Sequence, residues 1–250
     1  MTNTNFNAIA GLPRSGSTLL CNLLNQRPDT YASSTSALTQ VCLGISEVFS
    51  TTPEETSRLA RIPGTEDHHR KILSDVMNGW HNTDRPVIFD KGRAWTKAAL
   101  LLQNANPDAK IVVMVRDPRE VLASVEKKNR ETGIYHAGGT IQETSSNMFS
   151  ETGLIGGPIN SIEDVIRRKL PNIMFVTYDQ LASAPEIAMR NIEAYCDLDS
   201  HDYDFLNVKS TATDLDAVYR GKFPHEGSGE VKASESDWTE MVPQAIAEQI

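Results

Sequence analysis

Cysteine is scarce in this chain, with three residues, Cys21, Cys42 and Cys196, among 250. The number is odd and no pair stands at metal-binding or redox spacing. That excludes a disulfide framework and leaves reduced thiols as the expectation. Positive charge is short as well: 24 Lys and Arg face 33 Asp and Glu, for a formal net charge of −9. A protein that grips nucleic acid or an anionic membrane with its general surface leans basic, so neither partner is expected. Long apolar runs are missing; none approaches the roughly 20 residues of a membrane span. The polar opening MTNTN leaves no room for a secretory leader before the first apolar run. The expectation is a soluble, cytoplasmic protein whose anion sites are local islands of Arg and Lys.

What is present is ordinary globular composition, 39% apolar and 23% charged, in a chain long enough for one sizeable domain over residues 1–250. Residues 6–10 form an apolar run, and Leu19, Leu20, Leu23 and Leu24 continue with helical spacing until Pro28 and Asp29. A polar SSTS loop at residues 33–36 precedes a helix over 38–49. Residues 50–70 are polar, with a helix-start pattern at Thr52-Pro53-Glu54-Glu55. A strand over 87–89 and a helix over 95–104 follow. Residues 111–115 are wholly apolar and mostly β-branched, the mark of a strand buried in a parallel sheet, with a helix over 120–128 behind it. Residues 129–160 are rich in Gly, Ser, Thr and Asn and read as a long loop or lid, with at most a short helix. A helix over 162–170, a strand ending at Tyr178, a helix over 185–196 and a last helix over 238–250 complete the pattern. Strands alternating with helices predict an α/β fold: P-loop-like, three-layered, a mainly parallel central sheet with helices on both faces.

One further absence points to function. Residues 11–18, GLPRSGST, match the phosphate-binding pattern G-x-x-x-x-G-K-[ST] at Gly11, Gly16 and Thr18 but carry Ser17 where the lysine belongs. A loop after the first strand, backed by a helix N-terminus, cradles anions with its N–H groups. The lysine normally reaches a β,γ-phosphate pair, so its loss argues against a triphosphate. Arg14 offers a fixed, bidentate charge for one terminal phosphate. The bland alternative is a Gly-Pro turn with Arg14 solvated.

The strand at 111–115 adds a second site. A nucleoside-triphosphate enzyme ends this strand in an acid that supports Mg²⁺. Here it ends in Arg116, and Ser124 follows on the next helix. An arginine and a helix serine suit a second, separate phosphate. A surface ion pair of Arg116 with Asp117 or Glu120 is the bland alternative. Two anion positions on neighbouring strand ends suggest a nucleotide with phosphates at both 5′ and 3′ positions.

These residues resemble a known family. LPRSGSTLL is similar to the 5′-phosphosulfate loop of sulfotransferases, VVMVRDPREVLAS to their 3′-phosphate motif, and FVTYDQLASAP to their adenine-side strand. The likeness runs from residue 6 to about residue 196 and lies nearest the bacterial and tyrosylprotein-like branch. It implies 3′-phosphoadenosine 5′-phosphosulfate (PAPS) as sulfonate donor, adenosine 3′,5′-bisphosphate (PAP) as product, no metal, and an acceptor with a hydroxyl or amine. It also implies roles. Arg14, Ser15, Gly16, Ser17 and Thr18 would hold the 5′-phosphate and present the sulfonate. Arg116 and Ser124 would hold the 3′-phosphate, and Tyr178 would take the family tyrosine position. Lys91, closing PVIFDK, falls at the catalytic lysine, where an ammonium stabilises charge on the leaving oxygen.

The pattern departs from the family in places. The histidine base of one branch is replaced by Arg93, a poor base, and the glutamate of the other by the SSTS loop. Glu47, Asp90 and His136 are the candidates for a base; Asp90, adjacent to Lys91 on a strand, points to the opposite face. A late basic loop closes the family's cofactor site; Arg220, Gly221 and Lys222, or Ser228 and Lys232, are the candidates to supply it, and neither set has the family's spacing. His68 and His69 read as a solvated loop rather than a metal site, and Trp95 as packing. Two rival functions stand: a small-molecule kinase with an aberrant P-loop, and a nucleotide-binding pseudo-enzyme.

Overall fold

The computed structural model describes residues 4–51, 62–133, 139–211, 227–233 and 237–250. The helix start expected at Thr52, together with His136, Arg220, Gly221 and Lys222, lies outside these residues. Five strands, β1 (Asn5–Gly11), β2 (Thr30–Ala32), β3 (Val87–Lys91), β4 (Ile111–Val115) and β5 (Ile173–Thr177), form one sheet in the order β2-β3-β1-β4-β5. Every pairing is parallel. The helices are α1 (Ser17–Leu24), α2 (Leu38–Thr51), α3 (Thr65–Gly79), α4 (Ala99–Ala105), α5 (Pro118–Thr132), α6 (Ile141–Phe149), α7 (Gly156–Arg168), α8 (Tyr178–Ser183), α9 (Pro185–Tyr195) and α10 (Gln244–Ala247).

The strands alternate their faces, and each face has its own core. Ala8, Ile88, Ile111 and Val113 pack with Leu38, Trp95, Leu102, Val121 and Val125 on one side. Ile9, Phe89, Val112 and Met114 pack with Leu20, Leu23, Leu24, Met189 and Ile192 on the other. The three-layer α/β expectation therefore holds, because each central strand buries apolar residues in both directions.

Several element boundaries differ from the sequence expectation. Residues 95–104 do not form one helix: a 3-10 turn at Arg93–Trp95 precedes the shorter α4. His68 and His69 lie on α3, not in a loop, and His69 stacks on Phe49 with ring centres 4.3 Å apart. The segment at 129–160, expected as a loop or lid with at most a short helix, does hold one, α6, and also takes in the end of α5 and the start of α7. Thr140 opens α6 with a capping box to Glu143, a local start signal stronger than the polar composition around it. The last stretch is a 3-10 turn at Trp238–Glu240 and the short α10, rather than one helix.

Candidate functional site

The strand order brings the candidate residues together. With β3, β1, β4 and β5 side by side, Lys91, the loop after Gly11, Arg116 and Tyr178 all emerge at neighbouring C-terminal strand ends. In open α/β sheets this is the edge where ligands bind.

The loop is built around two glycines. Gly11 has φ of 125°, and a Cβ there would lie 1.9 Å from the carbonyl oxygen of Met114. That carbonyl accepts the N–H of Leu12 at 3.0 Å, so β4 closes directly over the start of the loop. Gly16, at φ of 86°, precedes α1; a Cβ there would stand 2.8 Å from the Tyr178 ring. No side chain caps α1 and its first turn holds no acid. The positive end of the helix is thus kept clear of a competing side-chain cap, as an anion cradle requires. Ser15 is fully buried, and its hydroxyl donates to the Leu12 carbonyl at 2.6 Å. Its side chain shapes the loop instead of facing a ligand.

Arg14 adopts a left-handed backbone with φ of 58°, a conformation that costs a non-glycine residue about 1–3 kcal/mol unless its surroundings hold it. Two contacts do so. Arg116 Nη1 donates to the Arg14 carbonyl at 3.2 Å. Arg14 Nε donates to Ser124 Oγ at 3.1 Å. Sequence reading put Ser124 with Arg116 on a phosphate separate from that of Arg14. The structure joins all three in one cluster, with Ser124 on the arginine of the first loop. Arg116 also places its guanidinium over Tyr178, 4.3 Å from the ring centre. Tyr178 is the first residue of α8, which Thr177 caps. Of the two ion pairs weighed for Arg116, the one with Glu120 forms, at 2.6 Å; Asp117 pairs with Arg119 instead.

Lys91 stands on the α1 face of β3. Its Nζ donates to Thr18 Oγ1 at 3.0 Å, and its backbone N–H donates to Ser33 Oγ at 2.8 Å. The SSTS loop is therefore packed beside Lys91, although it brings hydroxyls rather than a carboxylate. Asp90 points the opposite way and is fully buried. Trp95 Nε1 donates to its Oδ1 at 2.7 Å, and His81 Nε2 lies 2.7 Å from its Oδ2. Both oxygens are engaged in the core, which removes Asp90 from the base candidates. Glu47 and Arg93 are exposed. Beneath the loop, burial pushes the Cys21 thiol up to about 11, against the opposing pull of Lys91, so it stays protonated and unreactive.

Sequence reasoning missed Asn22. It is 1% exposed on the first helix. Its amide donates to the Gly227 carbonyl at 2.9 Å, and its Oδ1 accepts from the Thr211 N–H at 3.0 Å. An asparagine inside the apolar run LLCNLL was the available signal, since a buried amide has to find partners. Through Gly227 the late segment reaches the first turn of α1: a Cβ there would lie 3.3 Å from the Thr18 methyl. Ser228 and Lys232 are exposed. Among the described residues, no group of three or more His, Cys, Asp or Glu is placed to hold a metal, and no helix is long and apolar enough to cross a membrane.

A parallel sheet, a glycine-bounded loop feeding an uncapped helix, and cations at neighbouring strand ends define an α/β fold of the anion-cradling class. Comparison narrows the class. Residues 8–202 match the Sulfotransferase family, and the chain belongs to it. It is similar to protein-tyrosine sulfotransferase A of Caenorhabditis elegans, 26% identical over 195 residues that cover 76% of this chain and 49% of that protein. The chain thus spans about half the length of that relative. In fold it resembles a mouse sulfotransferase complexed with PAP, with a TM-score of 0.57 at 13% identity, covering 100% of this chain and 82% of that one. A sulfotransferase from Alicyclobacillus acidocaldarius gives a TM-score of 0.52 at 17% identity, covering 89% and 93%.

Proposed function

We propose that this chain is a cytoplasmic enzyme that transfers a sulfonate group from PAPS to a hydroxyl or amine acceptor and releases PAP. The observation that carries the reading is the contact of Lys91 Nζ with Thr18 Oγ1 at 3.0 Å, at the mouth of the uncapped loop, in a chain of the Sulfotransferase family. The loop amides from Arg14 to Thr18, with the Arg14 side chain, bind the 5′-phosphate. Arg116 and Ser124 bind the 3′-phosphate, and Tyr178 flanks the adenine side.

The acceptor atom forms a bond to sulfur while the bond from sulfur to the bridging 5′-phosphate oxygen breaks. The electron pair leaves with that oxygen, and the acceptor loses its proton. Lys91 and the loop N–H groups stabilise the charge that grows on the leaving oxygen, and Arg14 and Arg116 fix the donor for in-line attack. The balance needs no metal, nucleic acid or membrane. The tyrosine acceptor in the name of the nematode relative makes a phenol the first acceptor to try. The segment at 129–160, with α6 inside it, is assigned to the acceptor side.

Calorimetric titration with PAP tests the binding half of this reading. The expected dissociation constant is well below millimolar, and Arg116→Ala raises it by roughly tenfold or more, as loss of a charge-assisted phosphate contact should. Binding weaker than millimolar, or indifferent to Arg116→Ala, contradicts it.

A further inference from the structure

Arg116 is held on three sides. The Tyr178 ring lies under its guanidinium, 4.3 Å from centre to Cζ, and the Arg14 carbonyl accepts from Nη1 at 3.2 Å. Glu120 Oε2 accepts from Nε at 2.6 Å. The arginine side chain is 8% exposed and the glutamate 26%. The ring fixes the plane of the guanidinium and the carbonyl fixes one edge of it, and both are uncharged. Glu120 is therefore not needed to aim Arg116. What it adds is a negative charge on the cation that a phosphate would use. Of the neighbouring cations, Arg14 turns its Nε to Ser124 on the first-loop side, and Arg119 is paired with Asp117 and lies over Trp238, 4.8 Å from the ring centre.

We propose that Glu120 is a specificity-determining residue, an internal anion that competes with the 3′-phosphate for Arg116 and so limits how tightly the nucleotide product is held. The inference rests on the assignment of Arg116 to the 3′-phosphate made above. A dianionic phosphate arriving at Arg116 meets Glu120 already on Nε, and must either displace it or bind beside it against repulsion. Either way the affinity falls for ligands with a 3′-phosphate and stays unchanged for those without one. A product with two phosphates has to leave in every turnover, and product release often limits turnover in developed enzymes. A resident carboxylate on Arg116 speeds that release.

The test is titration of the full chain and of Glu120→Gln and Glu120→Ala with PAP and, in parallel, with adenosine 5′-phosphate. Glutamine keeps an acceptor for Nε and removes the charge; alanine removes both. The expected result is a PAP dissociation constant lowered about two- to fivefold in both variants, the size of a partly exposed ion pair. Stopped-flow dissociation of PAP slows by a similar factor, and affinity for adenosine 5′-phosphate is unchanged. Weaker or unaltered PAP binding in the variants makes Glu120 a support for Arg116 and overturns the proposal. Equal tightening for both nucleotides makes it a general charge effect and also overturns it. A wild-type chain that binds PAP no better than adenosine 5′-phosphate overturns the 3′-phosphate assignment itself, a distinct failure read from the wild type alone.

Discussion

The ammonium of Lys91 donates to the hydroxyl of Thr18 at 3.0 Å, although 73 positions separate them in sequence. Thr18 follows Ser17, the position where a nucleotide-binding loop of the usual kind carries its lysine. The register explains how a cation returns to the loop from elsewhere. Ile9 of β1 pairs with Lys91 of β3, and Gly92 N–H donates to the Ile9 carbonyl at 3.0 Å. The last residue of β3 is thereby fixed beside the strand that feeds the loop.

Lys91→Ala should cut sulfonate transfer by about 10²–10³ in kcat, the cost of removing one preorganised charge from the leaving oxygen. The PAP dissociation constant should move far less, because the stabilised charge develops only as the bond breaks. Steady-state kinetics together with PAP titration separate the two. Wild-type kcat in the variant contradicts the role given to Lys91.

Asp90 sits on the same strand, and its removal should leave the chemistry nearly untouched. A general base is worth about 10²–10⁴ in rate, so Asp90→Asn should leave kcat within a few-fold of wild type. Trp95→Phe strips the donor from a fully buried carboxylate oxygen and should cost about 1–3 kcal/mol. Chemical denaturation measures that loss, and assay of Asp90→Asn at several pH values checks the first statement.

The readable parts of the chain were those whose signal is local. β4 is a short, wholly apolar run buried completely at four of five positions, and α1 starts at the loop with leucines at helical spacing. β2 has three residues and pairs with β3 alone among the described strands, so no pattern of its own announced it. α3 buries only Leu73 and Met77 of fifteen residues, too thin an apolar stripe to outweigh its charged start. At the site, the loop and Arg116 could be nominated from motif and strand position, and Lys91 and Tyr178 only from the family resemblance. The pairing of Arg14 with Ser124 spans 110 positions and depends on how α5 leans over the loop. No spacing rule contains that.

Two glycines should respond to the same change in opposite ways. Gly11→Ala places a methyl 1.9 Å from the Met114 oxygen at φ of 125°, and should cost several kcal/mol or prevent folding, since both strain and overlap must be relieved at backbone atoms. Gly44, on α2, has nothing within 4 Å of a built Cβ. Gly44→Ala should stabilise by about 0.5–1 kcal/mol through helix propensity. Thermal unfolding of the two variants side by side checks both.

Acid should reveal the turn after β4. The side chain of Arg119 donates to Asp117 and, against a smaller opposing effect of burial, holds its carboxyl below the usual carboxylate range. A group depressed in the folded state contributes stability above its unfolded pKa of about 3.9, and that contribution is lost as pH falls through the folded value. Asp117 also caps α5 by accepting from the Arg119 N–H at 2.9 Å, which asparagine can do as well. Asp117→Asn should therefore be less stable than wild type near neutrality, and the two urea-unfolding curves should converge as pH drops below about 4. A gap that persists or widens in acid contradicts the assignment.

The most direct measurement offers PAPS labelled with radioactive sulfur to phenol, alcohol and amine acceptors, with the wild-type chain and Lys91→Ala run together. The account predicts label on at least one acceptor, one PAP formed per sulfonate moved, and transfer by Lys91→Ala lower by about 10² or more. A wild-type chain that binds PAP yet labels no acceptor, or a Lys91→Ala variant that transfers as fast as wild type, contradicts it.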